Sequence, residues 1–259
     1  MNRLLAIISA TVLVLGGSTL VGCGSSYSSN GSGGGGQNYA GQAQGVYSGT
    51  SSNGYAFSTI VLPNDKFYAI YGTVAGNALL LSGLITGQGT SGNGTYTASV
   101  SDFFYTGTKN TGSVSATYVA GASLNGSLTE SSATTTFTGA SLPTSSFNYN
   151  TPALLSDISG NWSGTLLDGM STTVAISSNG NVTGSSSGCS FSGTVSPDSS
   201  NKNFFDVSLK FAGSPCAAPN QTATGVGVDY LLSNGVTHQL VAGVTVGTTF
   251  FDFIQERLG

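Results

Sequence analysis

Charge, histidine and cysteine are all scarce in this sequence. Only 6% of the 259 residues are charged, and the formal net charge is −4. There is no basic patch, which argues against a nucleic-acid partner and against electrostatic attraction to anionic lipid. One His and three Cys, without a CxxC or HxxxH spacing, cannot assemble a zinc tetrahedron. We therefore expect no nucleic acid, no metal and no other cofactor.

The residues that are abundant indicate a folded, exported β-protein. Hydrophobic residues make up 39% of the chain and eleven residues are Tyr, too much for a disordered chain. Beyond the N-terminal region no stretch shows sustained helical periodicity with caps. With so few charges, solubility must rest on Ser, Thr, Asn and Gly. Such a surface suits an extracytoplasmic protein better than a cytosolic enzyme.

The N-terminus has the organisation of a secretory signal peptide. A short positive region, Met1-Asn2-Arg3, precedes an apolar stretch from Leu4 to Leu15. The motif Leu20-Val21-Gly22-Cys23 then resembles the lipobox of bacterial lipoproteins, in which the chain is cut before the cysteine. The resemblance implies a signal peptide over 1–22, palmitate-type acylation of Cys23 and anchoring in a membrane. An ordinary cleaved signal peptide and a permanent membrane span are the alternatives.

The resemblance also implies a location. Gly24 follows the lipid cysteine in place of the aspartate associated with inner-membrane retention. We therefore expect the outer membrane of a bacterial envelope, with the periplasmic or surface face left open. Residues 23–44 are rich in Gly and Ser and are predicted to be a flexible tether.

A repeated hexapeptide divides the rest of the chain. Gly45-Val46-Tyr47-Ser48-Gly49-Thr50 returns as Gly160-Asn161-Trp162-Ser163-Gly164-Thr165, which suggests two copies of one domain. We predict a first domain over 45–140, a linker over 141–158 with one helical turn, and a second domain over 159–259.

Alternation and turn signals predict the fold class. Phe205 to Phe211 alternates apolar and polar residues, and turns such as Gly92-Asn93-Gly94 and Asn179-Gly180 recur at short intervals. Counting strands between turns gives an all-β protein with two tandem small antiparallel β-barrels of about eight strands each. The segment from Leu79 to Ile85 is apolar on both faces. Its outer face should be covered by the second barrel or by a protein partner.

Gly160-Asn161-Trp162 resembles the G-x-W that opens the first strand of calycin-like barrels. The resemblance implies that Trp162 closes the base of the barrel and that a basic residue near the last strand, here Arg257, packs on it. Gly188-Cys189-Ser190-Phe191-Ser192-Gly193 further resembles uncharacterised Gly-rich β-domains of Gram-negative lipoproteins, which implies a location and a fold class without an activity.

Two further pairs are candidate site residues. Cys189 and Cys216 are expected to form a disulfide in an oxidising compartment, with two buried free thiols as the alternative. A three-residue loop after Leu232 would pair Tyr230 with His238 and turn both toward the barrel interior. There they would face a ligand, or His238 would simply be hydrogen-bonded near the rim.

No motif for catalysis has its required context. Gly184-Ser185-Ser186-Ser187-Gly188 matches G-x-S-x-G, but strand rather than helix follows it. We expect a non-catalytic binding or structural role at the envelope, with an unknown envelope or extracellular protein as partner. The alternative is a calycin-like carrier of a small apolar ligand. A cavity lined by Tyr and Phe would favour the carrier, and a filled core with an apolar outer patch would favour the protein binder.

Overall fold

A computed structural model describes residues 42–75, 78–104, 108–165, 170–232, 235–247 and 249–258. Each half of the chain forms eight antiparallel strands that close into a barrel, which confirms the predicted fold class. The predicted signal peptide, Cys23 and most of the predicted tether lie outside the described residues. Within the described ranges, no helix is long and apolar enough to cross a membrane.

The strands follow one another around each barrel in chain order. The first barrel contains β1 (Gly45–Ser51), β2 (Ala56–Val61), β3 (Lys66–Ala75), β4 (Ala78–Gly92), β5 (Thr95–Phe104), β6 (Lys109–Val119), β7 (Ser123–Glu130) and β8 (Ala133–Ser141). A single helical turn, α1 (Leu155–Ile158), precedes the second barrel. The second barrel contains β9 (Gly160–Thr165), β10 (Ser171–Ile176), β11 (Asn181–Ser186), β12 (Cys189–Pro197), β13 (Phe205–Phe211), β14 (Thr222–Leu231), β15 (Thr237–Val246) and β16 (Thr249–Leu258).

Closure joins the first strand of each barrel to the last. In the first barrel β1 pairs with β8 from Tyr47↔Ser141 to Ser51↔Phe137. In the second barrel β9 pairs with β10 along its length and with β16 at Ile254↔Thr165. Closure removes the exposed sheet edges that would otherwise pair with other chains.

Local sequence explains why these strands form. Along β5, Tyr96, Ala98 and Val100 are buried in the barrel, and the polar residues between them are not. Asn93-Gly94 connects β4 to β5, and both residues have positive φ, 51° and 78°. A two-residue type I′ hairpin needs this conformation, which Asn and Gly adopt most readily.

The abundance of glycine has a packing reason in these narrow barrels. A Cβ atom added to Gly83 would lie 2.4 Å from the hydroxyl oxygen of Tyr71, and one added to Gly184 would lie 2.3 Å from the Phe191 ring. Large rings therefore lie over neighbouring glycines inside the barrels. Replacing either glycine would displace an aromatic side chain from the interior.

The two barrels close their bases in the same way. The Trp162 side chain is 2% exposed, and its Nε1 donates a 2.7 Å hydrogen bond to the carbonyl of Ile158, four residues earlier. Tyr47 is fully buried, and its hydroxyl donates a 3.0 Å bond to the carbonyl of Ala43, also four residues earlier. Ala43 is itself buried, so the first barrel begins slightly before the predicted end of the tether.

An apolar interface joins the outer faces of the two barrels. Leu79 and Leu84 are 1% and 2% exposed and pack in one cluster with Ile254 of β16. The rings of Phe103 and Phe250 meet beside them with centroids 5.8 Å apart. The prediction that the second barrel covers the outer face of the Leu79 segment is therefore confirmed.

The linker forms part of the same interface. Phe147 and Tyr149 are buried in a second cluster with strands of both barrels. The Tyr149 ring stacks on Phe204 at 6.5 Å, and its hydroxyl donates to the Val61 carbonyl at 3.2 Å. The linker thus holds the barrels against each other through buried aromatic side chains.

Candidate functional site

Each barrel contains a cavity among its inward-facing side chains. The volumes are about 190 Å³ in the first barrel and about 200 Å³ in the second. A cavity of roughly 150 Å³ lined by aliphatic and aromatic side chains is large enough for benzene. Each barrel therefore has room for one molecule somewhat larger than benzene.

The first cavity has an apolar body and a polar end. Its apolar wall consists of inward-facing side chains from most of the strands: Phe57, Val61, Phe67, Ala69, Ile85, Val114, Leu124, Leu128 and Phe137. Tyr71, Asp102 and Glu130 lie near the opposite ends of their strands from the Tyr47 base and form the charged part of a polar end. The neutral polar residues that line the same end are Ser51, Asn53, Tyr55, Ser82 and Thr135. A ligand would thus meet hydrocarbon along its length and oxygen atoms at one end.

Tyr71 and Asp102 form the central contact of this polar end. Gly83 leaves space for the Tyr71 ring, so that its hydroxyl lies 2.9 and 3.0 Å from the two carboxyl oxygens of Asp102. Asp102 is only 2% exposed. A hydroxyl carries one proton, so a single donor serves both oxygens of a buried carboxylate.

Burial governs the electrostatics of the group. Burial raises the pKa of Asp102 to about 7, the Tyr71 hydrogen bond lowers it, and the nearby Glu130 charge raises it further. Burial also raises the pKa of Glu130 above its usual value. The pKa of Tyr71 lies well above its usual value, first because of burial and then because of the Asp102 charge. Asp102 therefore changes its charge near neutral pH. The pKa of such a buried carboxyl group depends on the charge and the hydrogen-bond donors of any molecule in the cavity.

The second cavity is almost entirely apolar. Phenylalanine and aliphatic side chains form most of its wall: Val174, Ile176, Val182, Phe191, Val195, Phe205, Val207, Leu209, Phe211, Leu240, Ala242, Val244, Phe251 and Phe253. The polar residues that line it are few: Thr172, Ser186, Ser187 and Asp252. Of these, Thr172 is 2% exposed, and its hydroxyl has no hydrogen-bond partner within the described chain. A buried hydroxyl without a partner is costly, so an acceptor on a bound molecule would relieve it.

A disulfide-linked loop lies at the mouth of the second cavity. Cys189 and Cys216 are bonded with Cα atoms 4.6 Å apart, which confirms the predicted disulfide. Cys189 and two residues of the loop beside Cys216, Pro215 and Ala217, line the cavity. The bond therefore fixes the loop at the end of the cavity opposite the Trp162 base.

The predicted register of β14 and β15 is wrong by one residue. Tyr230 pairs with Gln239 and Leu231 pairs with His238, because the connecting loop closes with a hydrogen bond from Leu232 N to Thr237 O. The prediction assumed that one face of β14 is apolar. Both faces are buried, one in the barrel and one in the interface, so alternation could not select the register.

The corrected register separates the two residues that were predicted to meet. Tyr230 packs on Phe147 in the interface, with ring centroids 5.0 Å apart, and burial raises its pKa to about 12. His238 Nδ1 lies 2.5 Å from a carboxyl oxygen of Asp229. The Arg257 side chain lies outside the described part of the structure, so its contact with Trp162 stays a prediction.

Sequence reasoning did not select Asp102 or Thr172. The signal for Asp102 was the alternation of β5, which places residue 102 on the same face as Tyr96, Ala98 and Val100. Among the described residues, no three His, Cys, Asp or Glu side chains are grouped in a way that suits a metal ion.

Comparison with protein-family models finds no match, and neither does comparison with curated proteins. Among solved structures, the chain is similar to isotype 1 transferrin binding protein B from serogroup B Neisseria meningitidis, with 12% sequence identity and a TM-score of 0.26. The match covers 80% of this chain and 65% of the other, so the chain spans about two thirds of that structure.

Proposed function

We propose that this protein binds small, mainly apolar molecules inside its two barrels and catalyses no reaction. The observation that carries the proposal is the pair of cavities inside the barrels, about 190 and 200 Å³, lined mostly by hydrocarbon. Ligand sites in proteins are concave, mostly apolar and equipped with a few placed polar groups. Asp102 and Thr172 supply such groups.

Binding an unknown envelope or extracellular protein is the second candidate function. It would use an exposed apolar face, yet the apolar face expected from the sequence is occupied by the second barrel. The cavities therefore favour the small-molecule carrier. For Asp102 to act as a catalyst, a substrate would have to place its reacting bond beside this carboxyl group, in a cavity little larger than benzene. Binding requires only that a ligand fit into the cavity.

We further infer that Cys23 carries the lipid that anchors the protein in the envelope, in the outer membrane. The lipobox at residues 20–23 and the Gly/Ser-rich segment after it support this inference. Several acyl chains together hold a protein firmly, since each buried methylene contributes about 0.8 kcal/mol. Replacing Cys23 by Ser should leave the precursor uncut and unlabelled by a palmitate analogue. Normal labelling of that variant would contradict lipidation at Cys23.

Calorimetric titration with n-propylbenzene tests the carrier function. The protein used is the chain from residue 23, with Cys23→Ser so that neither lipid nor detergent competes for the probe. Ala69 lines the first cavity and Ala242 the second, so Ala69→Leu and Ala242→Leu each fill one of them. We expect each variant to lose one class of site and the double variant to lose both. Unchanged binding in the double variant would refute the proposal.

A further inference from the structure

We propose that the first barrel selects ligands that combine a small apolar body with a protonated amine seated against Asp102 and Glu130. This inference rests on the proposed function, because it names the ligand class of one of the two cavities. Its basis is that the carboxyl oxygens of Asp102 and Glu130 outnumber the hydrogen-bond donors that the described residues direct at them.

Asp102 has too few donors for a buried carboxylate. An ionised carboxylate offers about four lone-pair positions, all of them acceptors. Among the described residues, the hydrogen bonds to the Asp102 carboxyl group come from one hydroxyl, that of Tyr71, which lies about equally far from both oxygens. Because Asp102 is only 2% exposed, its carboxyl group gains most from a hydrogen-bond donor that arrives inside the cavity.

Glu130 adds a second acceptor on a neighbouring part of the wall. Its Oε1 atom is buried and has no hydrogen-bond partner within the described barrel. No lysine in the described ranges pairs with either carboxyl group. Lys109, which follows β5 in the sequence, lies over the ring of Phe103 instead, 5.3 Å from its centroid. The negative charge at this end is therefore left for a ligand to balance.

A primary ammonium group matches these acceptors. It carries three donors and a positive charge, and a charge-assisted hydrogen bond is roughly twice as strong as a neutral one. A neutral alcohol of the same size brings one donor and no charge, and a carboxylate would be repelled. The apolar wall and the volume of about 190 Å³ limit the rest of the molecule to one ring or a short alkyl chain.

The second barrel provides an internal contrast. Its cavity has a similar volume and an apolar wall, and the hydroxyl of Thr172 lacks a partner within the described chain; Asp252 is the one acidic residue that the described lining of this cavity includes. A hydroxyl donor suits a ligand that carries an acceptor. The first cavity, where Asp102 and Glu130 lie together at one end, should therefore prefer an amine more strongly than the second.

Binding of an amine should depend on pH because the carboxyl must be charged. The titratable groups near Asp102 are Tyr71, in direct contact, and Glu130 on a neighbouring part of the wall. Tyr55 lies next to Tyr71, with ring centroids 5.5 Å apart. The pKa of Asp102 is raised to about 7 in the empty barrel, so it must lose a proton before it pairs with an ammonium group. Affinity should fall about tenfold between pH 8 and pH 6.

The test compares three probes of similar size: 2-phenylethylamine, n-propylbenzene and phenylacetate. The protein is the chain from residue 23 with Cys23→Ser and Ala242→Leu, so that only the first cavity is open. We expect the amine to bind about tenfold or more tightly than n-propylbenzene at pH 8, and phenylacetate not to bind. Asp102→Asn should remove the preference for the amine, so that the amine and n-propylbenzene bind within about threefold of each other. Asp206→Asn, on the exposed face of β13, is the matched control and should change neither.

The outcomes separate this inference from the proposed function. If n-propylbenzene and the amine bind equally, the cavity is a binding site but the amine preference is wrong. If neither binds, the proposed function itself fails for this barrel. Should Asp102→Asn not fold, Glu130→Gln and the pH series decide. An amine affinity that is the same at pH 6 and pH 8 would overturn the inference.

Discussion

The contact between the barrels predicts that they unfold together, and Leu84→Ala tests this. Leu84 is 2% exposed, and its Cδ1 atom lies 3.6 Å from where a Cβ would stand on Gly243 of the second barrel. Truncating a buried leucine to alanine costs about 3 kcal/mol through lost transfer energy and the cavity left behind. With a guanidinium slope of about 5 kcal/mol/M, the midpoint should fall by about 0.6 M.

The assay uses the sole tryptophan of the sequence. Trp162 lies at the base of the second barrel, so its fluorescence reports the unfolding of that barrel alone. Leu124→Ala is the matched control, because Leu124 is 5% exposed and faces the interior of the first barrel, away from the interface. If the barrels form one cooperative unit, both substitutions should move the Trp162 midpoint by a similar amount.

One behaviour of the Leu124→Ala control would refute coupling between the barrels. If Leu124→Ala leaves the Trp162 midpoint unchanged while a far-UV signal shows an earlier transition, the first barrel unfolds on its own. The barrels would then be independent domains that only touch, and the buried Phe147 and Tyr149 of the linker would contribute little to coupling.

Three further predictions concern the interior. Thr172→Val should raise the free energy of unfolding by about 1 kcal/mol, because it removes a buried hydroxyl without a partner within the described chain. Thr59→Val should lower the free energy of unfolding, because the Thr59 hydroxyl donates a 3.1 Å hydrogen bond to the Tyr68 carbonyl. Urea titrations that show the opposite order would contradict this. Because the folded pKa of Asp102 is raised to about 7, the native state holds a proton that the unfolded state loses near pH 4. Stability should therefore fall as pH rises from about 4 to 7, by up to about 1.4 kcal/mol per pH unit, and Asp102→Asn should flatten this slope. Replacing Cys189 and Cys216 by Ser should lower the free energy of unfolding by about 3 kcal/mol, and no change in thermal midpoint would contradict a stabilising role.

Sequence patterning predicted the barrels well for a physical reason. Each hairpin brings its own turn chemistry, such as Asn93-Gly94, and most strands have one buried and one exposed face. Local rules are therefore enough to count the strands. The repeated hexapeptide likewise marked two equivalent strands, whose aromatic residues, Tyr47 and Trp162, both donate to a carbonyl four residues earlier.

Local turn chemistry and hydrophobic alternation did not predict the register between β14 and β15. Val226, Val228 and Tyr230 face the first barrel, while the alternate residues face the interior of the second. A strand that is buried on both faces does not reveal its register through hydrophobic alternation. The correct pairing depends on the loop from Leu232 to Thr237, whose hydrogen bond is a property of the folded hairpin.

The polar groups of the cavities were also hard to single out from sequence. Acids and threonines occur on many strands, and burial without a full set of partners distinguishes Asp102 and Thr172 from the others. That distinction depends on which residues the closed barrel brings together. Tyr71 reaches Asp102 only because Gly83, on the strand between them, has no side chain.

The central claim, that both barrels hold a small ligand, is tested most directly by NMR on protein with labelled alanine methyl groups. Titration with n-propylbenzene should give intermolecular nuclear Overhauser effects from the aromatic ring to the methyls of Ala69 and Ala242, which line the two cavities. The exposed Ala133 should show none. Contacts to both interior methyls would support the account. Contacts confined to surface residues, or absent at saturation, would contradict it.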